Sequence, residues 1–271
     1  MIIQHRETGA HLIDVAPESA ELTRAELAYA DLNGAELRHA NLRHADLCNA
    51  DLRSARFDGA TLTGADATLS DTVGACFPNA RMDDMRMQGM NKRHRGVVGI
   101  DFRSADMTRV TIKNSNLNGS MFANAILRRG DLMRCNLSNA DLSGAELTDA
   151  CLASANLSNA KLCYASLVGA VLTNANLEGA DLTGADLTLA NLSGTKFSGA
   201  NLTNTLWSKT TLARATGIDS AIGLETLRYG DPCSVDIHTL RGGIAALPVD
   251  LLEQCGLRPS EIERLRGVFG T

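Results

Sequence analysis

Residues 136–157 read NLSNADLSGAELTDACLASANL, and a leucine returns in that stretch every fifth residue. From Leu127 to Leu192 the spacing holds for fourteen leucines in succession, and an alanine stands two residues before each leucine from Leu142 to Leu192. Ala and Leu are the best helix formers, but the period excludes a helix. Five residues advance a helix by 500°, which would set successive leucines about 140° apart and smear them around its whole surface. A flat strand fails as well, because an odd repeat sends alternate leucines to opposite faces. A coil that turns a corner once per repeat reconciles the two demands. Each side then buries its central Leu and the nearby Ala and turns its other residues to solvent.

The composition of the 271 residues agrees with such a coil. Only 4% of the chain is aromatic although 44% is hydrophobic, so the interior is filled by small, uniform side chains. No run of about 18 apolar residues offers a membrane span. The opening MIIQHRETGAHLIDVAPE lacks the basic and apolar regions of a signal peptide. Seven cysteines without a CxxC pair point to a reducing compartment, and a cytoplasmic location is expected.

The A-(D/N)-L-x-x pattern, clearest in ANLEGADLTGADL (residues 175–187), resembles the pentapeptide-repeat proteins over roughly residues 20–215. That resemblance implies an all-β fold, a right-handed quadrilateral parallel β-helix with four pentapeptides per coil. At about 4.8 Å per coil, roughly ten coils would make a rod of about 45–50 Å. Burying a leucine is worth about 1.5–3 kcal/mol, so stacked leucine layers carry most of the expected stability.

The fivefold phase runs from Leu12 to Leu212, but its content degrades over residues 67–99. Ala67, Thr72 and Lys92 occupy core slots there, and methionines (Met82, Met85, Met87, Met90) fill the irregular layers. Residues 89–99, GMNKRHRGVVG, are expected to leave the tube as a loop, because burying Lys92 unpaired would be costly. A loop of one or two whole pentapeptides would keep the phase while renumbering the sides downstream. Lys92, Arg93, His94 and Arg95 form a concentrated basic cluster, read either as a contact loop for an anionic partner surface or as a solvated insertion.

Residues 1–19 are expected to form an N-terminal cap. Trp207 suits closure of the tube near its far end, or simply a bulky core slot. Residues 216–271 read as a small α-helical C-terminal segment, with Pro248 and Pro259 as helix starts and Gly256 and Gly267 or Gly270 as stops. In it Val235, Asp236, Thr239, Leu240, Leu247, Pro248, Leu252, Cys255, Gly256, Leu257 and Ile262 resemble a segment that links pentapeptide repeats to effector domains of the Toll/interleukin-receptor (TIR) type in some bacterial proteins. The chain ends at Thr271 without such a domain, so the segment is expected to be a cap, or a docking or homodimerisation element through Leu252, Ile262, Leu265 and Phe269.

No GxGxxG, P-loop, HExxH or GxSxG motif is present; no catalytic residue, metal or cofactor is assigned, and the protein is read as non-enzymatic. Three uses fit. The first is a protein–protein interaction scaffold. The second comes from the resemblance: some pentapeptide-repeat proteins mimic duplex DNA, bind type II topoisomerases such as gyrase and confer fluoroquinolone resistance. The third is a sensor or scaffold module of an effector signalling system. A DNA mimic needs an acidic stripe, and taking every twentieth residue as one face would align Glu26, Asp46, Asp66, Asp106, Glu146 and Asp186, interrupted by Arg86 and with its second half displaced by any inserted repeat. Residues 1–215 carry 23 acidic side chains (31 less 8 in the tail) against 21 basic (26 less 5), which is weak for a polyanion mimic. Direct nucleic-acid binding is not expected.

Overall fold

A computed structural model describes residues 2–5, 11–14, 20–94, 96 and 98–269. From Glu21 onward the chain winds as a coil whose sides meet their neighbours in parallel, twenty residues apart. Four ladders run along it. The first begins Glu21–Asn41–Thr61–Arg81, the second Glu26–Asp46–Asp66–Arg86, the third Asp31–Asp51–Asp71 and the fourth Glu36–Arg56–Cys76. Each pentapeptide therefore makes one side of a four-sided tube.

Within a side, the leucine N–H donates to the next coil and the following coil answers. Leu152 N–H reaches the Val171 carbonyl at 2.8 Å, and Val171 N–H reaches the Ala150 carbonyl at 2.9 Å. The chain then turns the corner through a tight hydrogen bond, such as Ala155 N–H to the Leu152 carbonyl at 3.0 Å. The third residue of that turn takes positive φ, as at Ser154 (57°) and Gly179 (66°), which is why Gly and Asn crowd this slot. The Asp/Asn slot before leucine closes the other half of the turn. Its side-chain oxygen accepts the N–H two residues on, as Asp141 does from Ser143 (3.0 Å) and Asn156 from Ser158 (3.1 Å). These carboxylates are parts of the turn as well as surface charge.

Leucines fill the tube at 0–1% exposure from Leu22 to Leu212, with alanines beside them. On the fourth side Phe57, Phe77, Phe102 and Phe122 stack at centroid separations of 4.8, 5.3 and 4.9 Å, which are the coil spacing itself. The same coil as Phe57 carries small Ala67 and Thr72 in its core slots, so volume lost on two sides offsets volume gained on another. Trp207 is fully buried, and its indole N–H donates to the Thr205 hydroxyl at 3.1 Å. A further layer covers it, so it is a core residue beneath the end and not the closing plug.

At the start of the chain, β1 (Ile2–His5) and β2 (His11–Asp14) form an antiparallel pair, and β1 lies antiparallel to β3 (Ala30–Asp31) on the first coil. At the far end, β4 (Leu206–Trp207) and β5 (Thr211–Leu212) pair in parallel with β6 (Arg228–Tyr229) and β7 (Ser234–Val235). Helices α1 (Ile237–Gly243), α2 (Val249–Gln254) and α3 (Pro259–Phe269) follow. Gly256 at φ 87° ends α2, whereas Gly267 lies inside α3 and Gly270 lies outside the described residues.

The last coil has four corner N–H groups with no further coil to receive them, and the C-terminal segment supplies an acceptor for each. Gly199 N–H meets the Ser220 hydroxyl, Asn204 N–H the Thr226 hydroxyl, Lys209 N–H the Asp231 carbonyl and Arg214 N–H the Asp236 carboxylate. Asp236 also caps α1 through the Thr239 N–H (2.9 Å), while the Thr239 hydroxyl bonds the Leu212 carbonyl and the Ala215 N–H (3.1 Å each). The Asp236-x-x-Thr239 motif thus joins the helices to the tube.

Leu152→Ala should destabilise the protein by about 2–5 kcal/mol through the cavity it leaves, read as a lower urea midpoint at unchanged m. Asp236→Ala removes a helix cap and the acceptor of the Arg214 N–H together and should cost about 1–2 kcal/mol. Burial pushes the Asp236 carboxyl up, but the Arg214 and Thr239 N–H groups and the Thr239 hydroxyl outweigh it and hold it below the ordinary aspartate value. The stabilisation it provides is therefore present above the unfolded value, about 3.9, and is lost as pH falls through the lower folded value. Circular dichroism of the helices between pH 5 and 2 should show the wild-type cap loosening in that window and Asp236→Ala losing the dependence.

Candidate functional site

Before the C-terminal segment the regular ladder fails at one place. Ladder partners are twenty residues apart up to Asp66–Arg86, then twenty-five apart at Cys76–Asp101, Arg81–Asp106 and Arg86–Thr111, then twenty again as far as Lys196–Thr216. One whole pentapeptide has been added, and it leaves the tube on the third side, between Asp71 and Asn116. The excursion is shorter than residues 89–99: Gly89, Met90, Asn91 and Val98 are buried, and the exposed part is Lys92, Arg93, His94 and Gly96. Arg95 lies outside the described residues.

Side chains replace the missing backbone at the loop root. Thr72 N–H, which would meet a carbonyl in a regular coil, donates to Asn91 Oδ1 at 2.9 Å, and Asn91 Nδ2 returns to the Thr72 hydroxyl at 2.9 Å. Met90 N–H donates to the Ser115 hydroxyl, which in turn donates to the Met87 carbonyl, both at 3.1 Å. Asn116 Nδ2 holds the loop from below through the His94 (2.7 Å) and Gly96 (3.3 Å) carbonyls. His94 Nε2 sits 3.1 Å from Asp71 Oδ2, tying the loop to the third coil.

Lys92 and Arg93 are exposed and have no carboxylate partner among the described residues. Their neighbours differ: Arg53 pairs with Asp51, Arg86 with Asp66 (2.7 Å), Arg103 with Asp101 (2.8 Å) and Arg109 with Asp84 (2.6 Å). The loop overhangs the corner between the second and third sides, where Tyr29, Asn49, Leu69 and Gly89 stack in line. Together they enclose an open groove of about 430 Å³. Tyr29 and Leu69 are 42% and 53% exposed. Gly89 has φ +71°, and a Cβ there would meet Leu69 Cδ2 at 2.9 Å and the Lys92 chain at 3.1 Å, so glycine makes the close approach of loop and corner possible. The sequence signal for the groove lies in the corner slot, where Tyr29 and Leu69 replace the usual Gly or Asn.

The added pentapeptide displaces the second half of the acidic column. Glu26, Asp46 and Asp66 do stack, but Arg86, Thr111 and Asp131 continue that ladder. Asp106, Glu146 and Asp186 belong to the neighbouring first side, below Arg81. A second acidic ladder missed at twenty-residue spacing, Asp31–Asp51–Asp71, runs beside the groove. Mid-rod, residues 81–135 carry eleven basic side chains against five acidic ones, so the surface is segregated by charge along its length.

The C-terminal docking residues are likewise corrected. Leu252 and Ile262 are 0% and 2% exposed within the chain; they pack the helices together and cannot meet a partner. Leu265 and Phe269 are partly buried, with the Arg241 guanidinium 5.4 Å from the Phe269 ring centroid. Three of the thiols are poorly suited to nucleophilic chemistry. Burial, then Asp46 and Asp66, pushes Cys48 up to about 12, and burial first of all pushes Cys163 up to about 11 and Cys135 up to about 12.

Asn91→Ala should expose the Thr72 N–H and loosen the loop root. Tryptic cleavage after Lys92 or Arg93 under native conditions is expected to quicken about tenfold, in line with a local opening cost lowered by about 1.4 kcal/mol. Time courses at fixed protease on wild type and variant check this.

A family model described as pentapeptide repeats matches in eight copies, over residues 30–71, 49–84, 115–152, 150–188 and 190–218. No curated protein matches the chain. Among solved structures it is similar to HetL, a pentapeptide repeat protein involved in heterocyst differentiation regulation from the cyanobacterium Nostoc sp. strain PCC 7120, at 25% identity over 73% of this chain and 90% of that one, with a TM-score of 0.40. It is similar to a trypsin-treated form of QnrB1, a plasmid-mediated fluoroquinolone resistance protein, at 17% identity over 80% and 96%, with a TM-score of 0.42. It also resembles Rfr23, a pentapeptide repeat protein from the cyanobacterium Cyanothece 51142, at 29% identity over 44% and 85%, with a TM-score of 0.19.

Proposed function

The chain belongs to the pentapeptide-repeat family, whose right-handed β-helix is the fold described above, and on that premise we propose that it is a non-enzymatic scaffold holding a protein partner against the loop-bearing corner of the rod. The observation that carries this reading is the root of the loop. Asn91, Ser115 and Asn116 are buried, at 3–8% exposure, and their hydrogen bonds hold the insertion in one place. Polar groups that deep are retained only when satisfied, and here they present two unmatched cations from a rigid support. A solvated insertion needs no such anchoring.

The rod suits the role. Its sides are fixed by ladders in both directions, so contact residues are held in place and little ordering entropy is lost on binding. The alternative, a duplex-DNA mimic directed at a type II topoisomerase such as gyrase, calls for carboxylates along one continuous side. Arg86 and Thr111 stand in that run, and this favours the scaffold.

A photo-reactive amino acid placed at Lys92 should cross-link a partner in the cells that make the protein. The same group at Ser104, at the diagonally opposite corner of the tube, should not. A partner captured equally from both positions would move the contact off the loop, and capture from neither would remove the scaffold reading.

A further inference from the structure

The second and third sides of the tube carry their charge in blocks. In the first three coils these sides comprise residues 26–34, 46–54 and 66–74, with six carboxylates against one arginine. In the next three, residues 86–99, 111–119 and 131–139, they hold six lysines and arginines against one aspartate. The three after that, residues 151–159, 171–179 and 191–199, have one charge of each sign. Part of each block is balanced within the chain, as where Asp66 meets Arg86 at the boundary (2.7 Å). Glu26, Asp31 and Asp46 in the first block are exposed and have no ion pair among the described residues, and the same holds for Lys92, Arg93 and Arg134 in the second.

Such a surface is complementary to its own reverse. Two copies laid antiparallel, about a two-fold axis crossing between the third and fourth coils, set the first coil against the sixth, the second against the fifth and the third against the fourth. Every acidic coil then meets a basic one. Glu26 and Asp31 come opposite the coil of Arg134, Asp46 opposite that of Lys113, and the loop with Lys92 and Arg93 opposite that of Asp66 and Asp71. A parallel pair in register would set like on like. The antiparallel contact uses the same patch on both copies and so closes on itself.

We infer that the partner at the loop-bearing corner is a second copy of this chain, bound antiparallel over the first six coils. The inference names the partner of the face proposed above and rests on that reading. The overlap spans five coil spacings, about 24 Å, and is narrow, so charge holds the pair; the dimer is weak and sensitive to salt. The seventh to ninth coils, nearly uncharged on these sides, project beyond the overlap and carry the two helical segments to opposite ends.

The test uses the purified full chain and sedimentation velocity. Wild type should form a dimer at about 50 mM salt that weakens about tenfold or more at about 0.5 M. K92E/R93E/R134D and E26K/D31K/D46K should each weaken it about a hundredfold. An equimolar mixture of the two should restore a one-to-one dimer, because every cross-copy pair is then either kept or reversed on both sides. Lysine already occupies the ladder slot at Lys161 and Lys196, and aspartate the corner slot at Asp84 and Asp149, so the substitutions suit the backbone, and restoration in the mixture shows that both variants are folded. K161E/K196E, outside the overlap, should change nothing. A photo-reactive group at Lys92, in a mixture of isotopically light and heavy chains, should join light to heavy through residues of the third coil. A wild type that stays monomeric at about 1 mM and low salt, a dimer indifferent to salt or to the reversals, failure of the mixture to restore it, or joints on the C-terminal helices overturns the inference. Cross-linking in cells separates the two levels. If Lys92 captures a different protein, the second copy is wrong and the scaffold stands; if nothing cross-links from either corner, the scaffold falls with it.

Discussion

Every coil of this tube depends on another coil to receive its backbone N–H groups. Inside one turn of the chain the regular backbone–backbone hydrogen bond is the tight one at each corner, as from Ala155 to Leu152; the other ladder bonds cross to a neighbouring layer. Leucine burial supplies the driving force, but the ladder decides where residues stand, because a side displaced by one residue would send its leucine outward. An insertion is therefore admissible only in whole pentapeptides, and an end only where something replaces the missing layer.

The protein meets both demands in the same way, with short polar side chains. At the loop, Asn91 and Ser115 take the N–H groups of Thr72 and Met90. At the far end, Ser220, Thr226 and Asp236 take those of Gly199, Asn204 and Arg214. At the loop root, where both bonds are buried, an unsatisfied N–H costs about 1–3 kcal/mol, a large part of the margin by which small proteins are stable; at the far end the bonds lie at the surface and cost less to lose. The irregular stretches of this molecule are thus the places where its hydrogen bonding is most individually specified.

The repeat was legible because an odd period with one apolar slot admits few geometries, and the family resemblance supplied the four-sided coil. Surface geometry was less legible. The acidic column was misphased because the position of the added pentapeptide, which sets the ladder for Asp106 and beyond, depends on hydrogen bonds of Asn91 and Asn116 that no period reveals. Leu252 and Ile262 were read as docking residues because helical spacing shows that an apolar face exists without showing what covers it. Asp236 and Thr239 stood out as a motif, but their partners, Arg214 and Leu212, are more than twenty residues away. Tyr29 and Leu69 are two coils apart and become neighbours in a groove only once the corners are known to stack.

The step from twenty to twenty-five in the ladder acts as a quarter-turn dial. Everything after the loop is rotated by one side relative to everything before it, while the phase of the leucine core is kept. Surface patterns of the two parts of the rod can therefore be re-indexed against each other by gain or loss of five residues, a change to which the leucine period is blind. Two such rods with the same buried repeat would present different faces to the world, and overall identity between them would understate the difference. Comparison of such chains is best made ladder by ladder, with the position of each added pentapeptide treated as the coordinate that defines the surface.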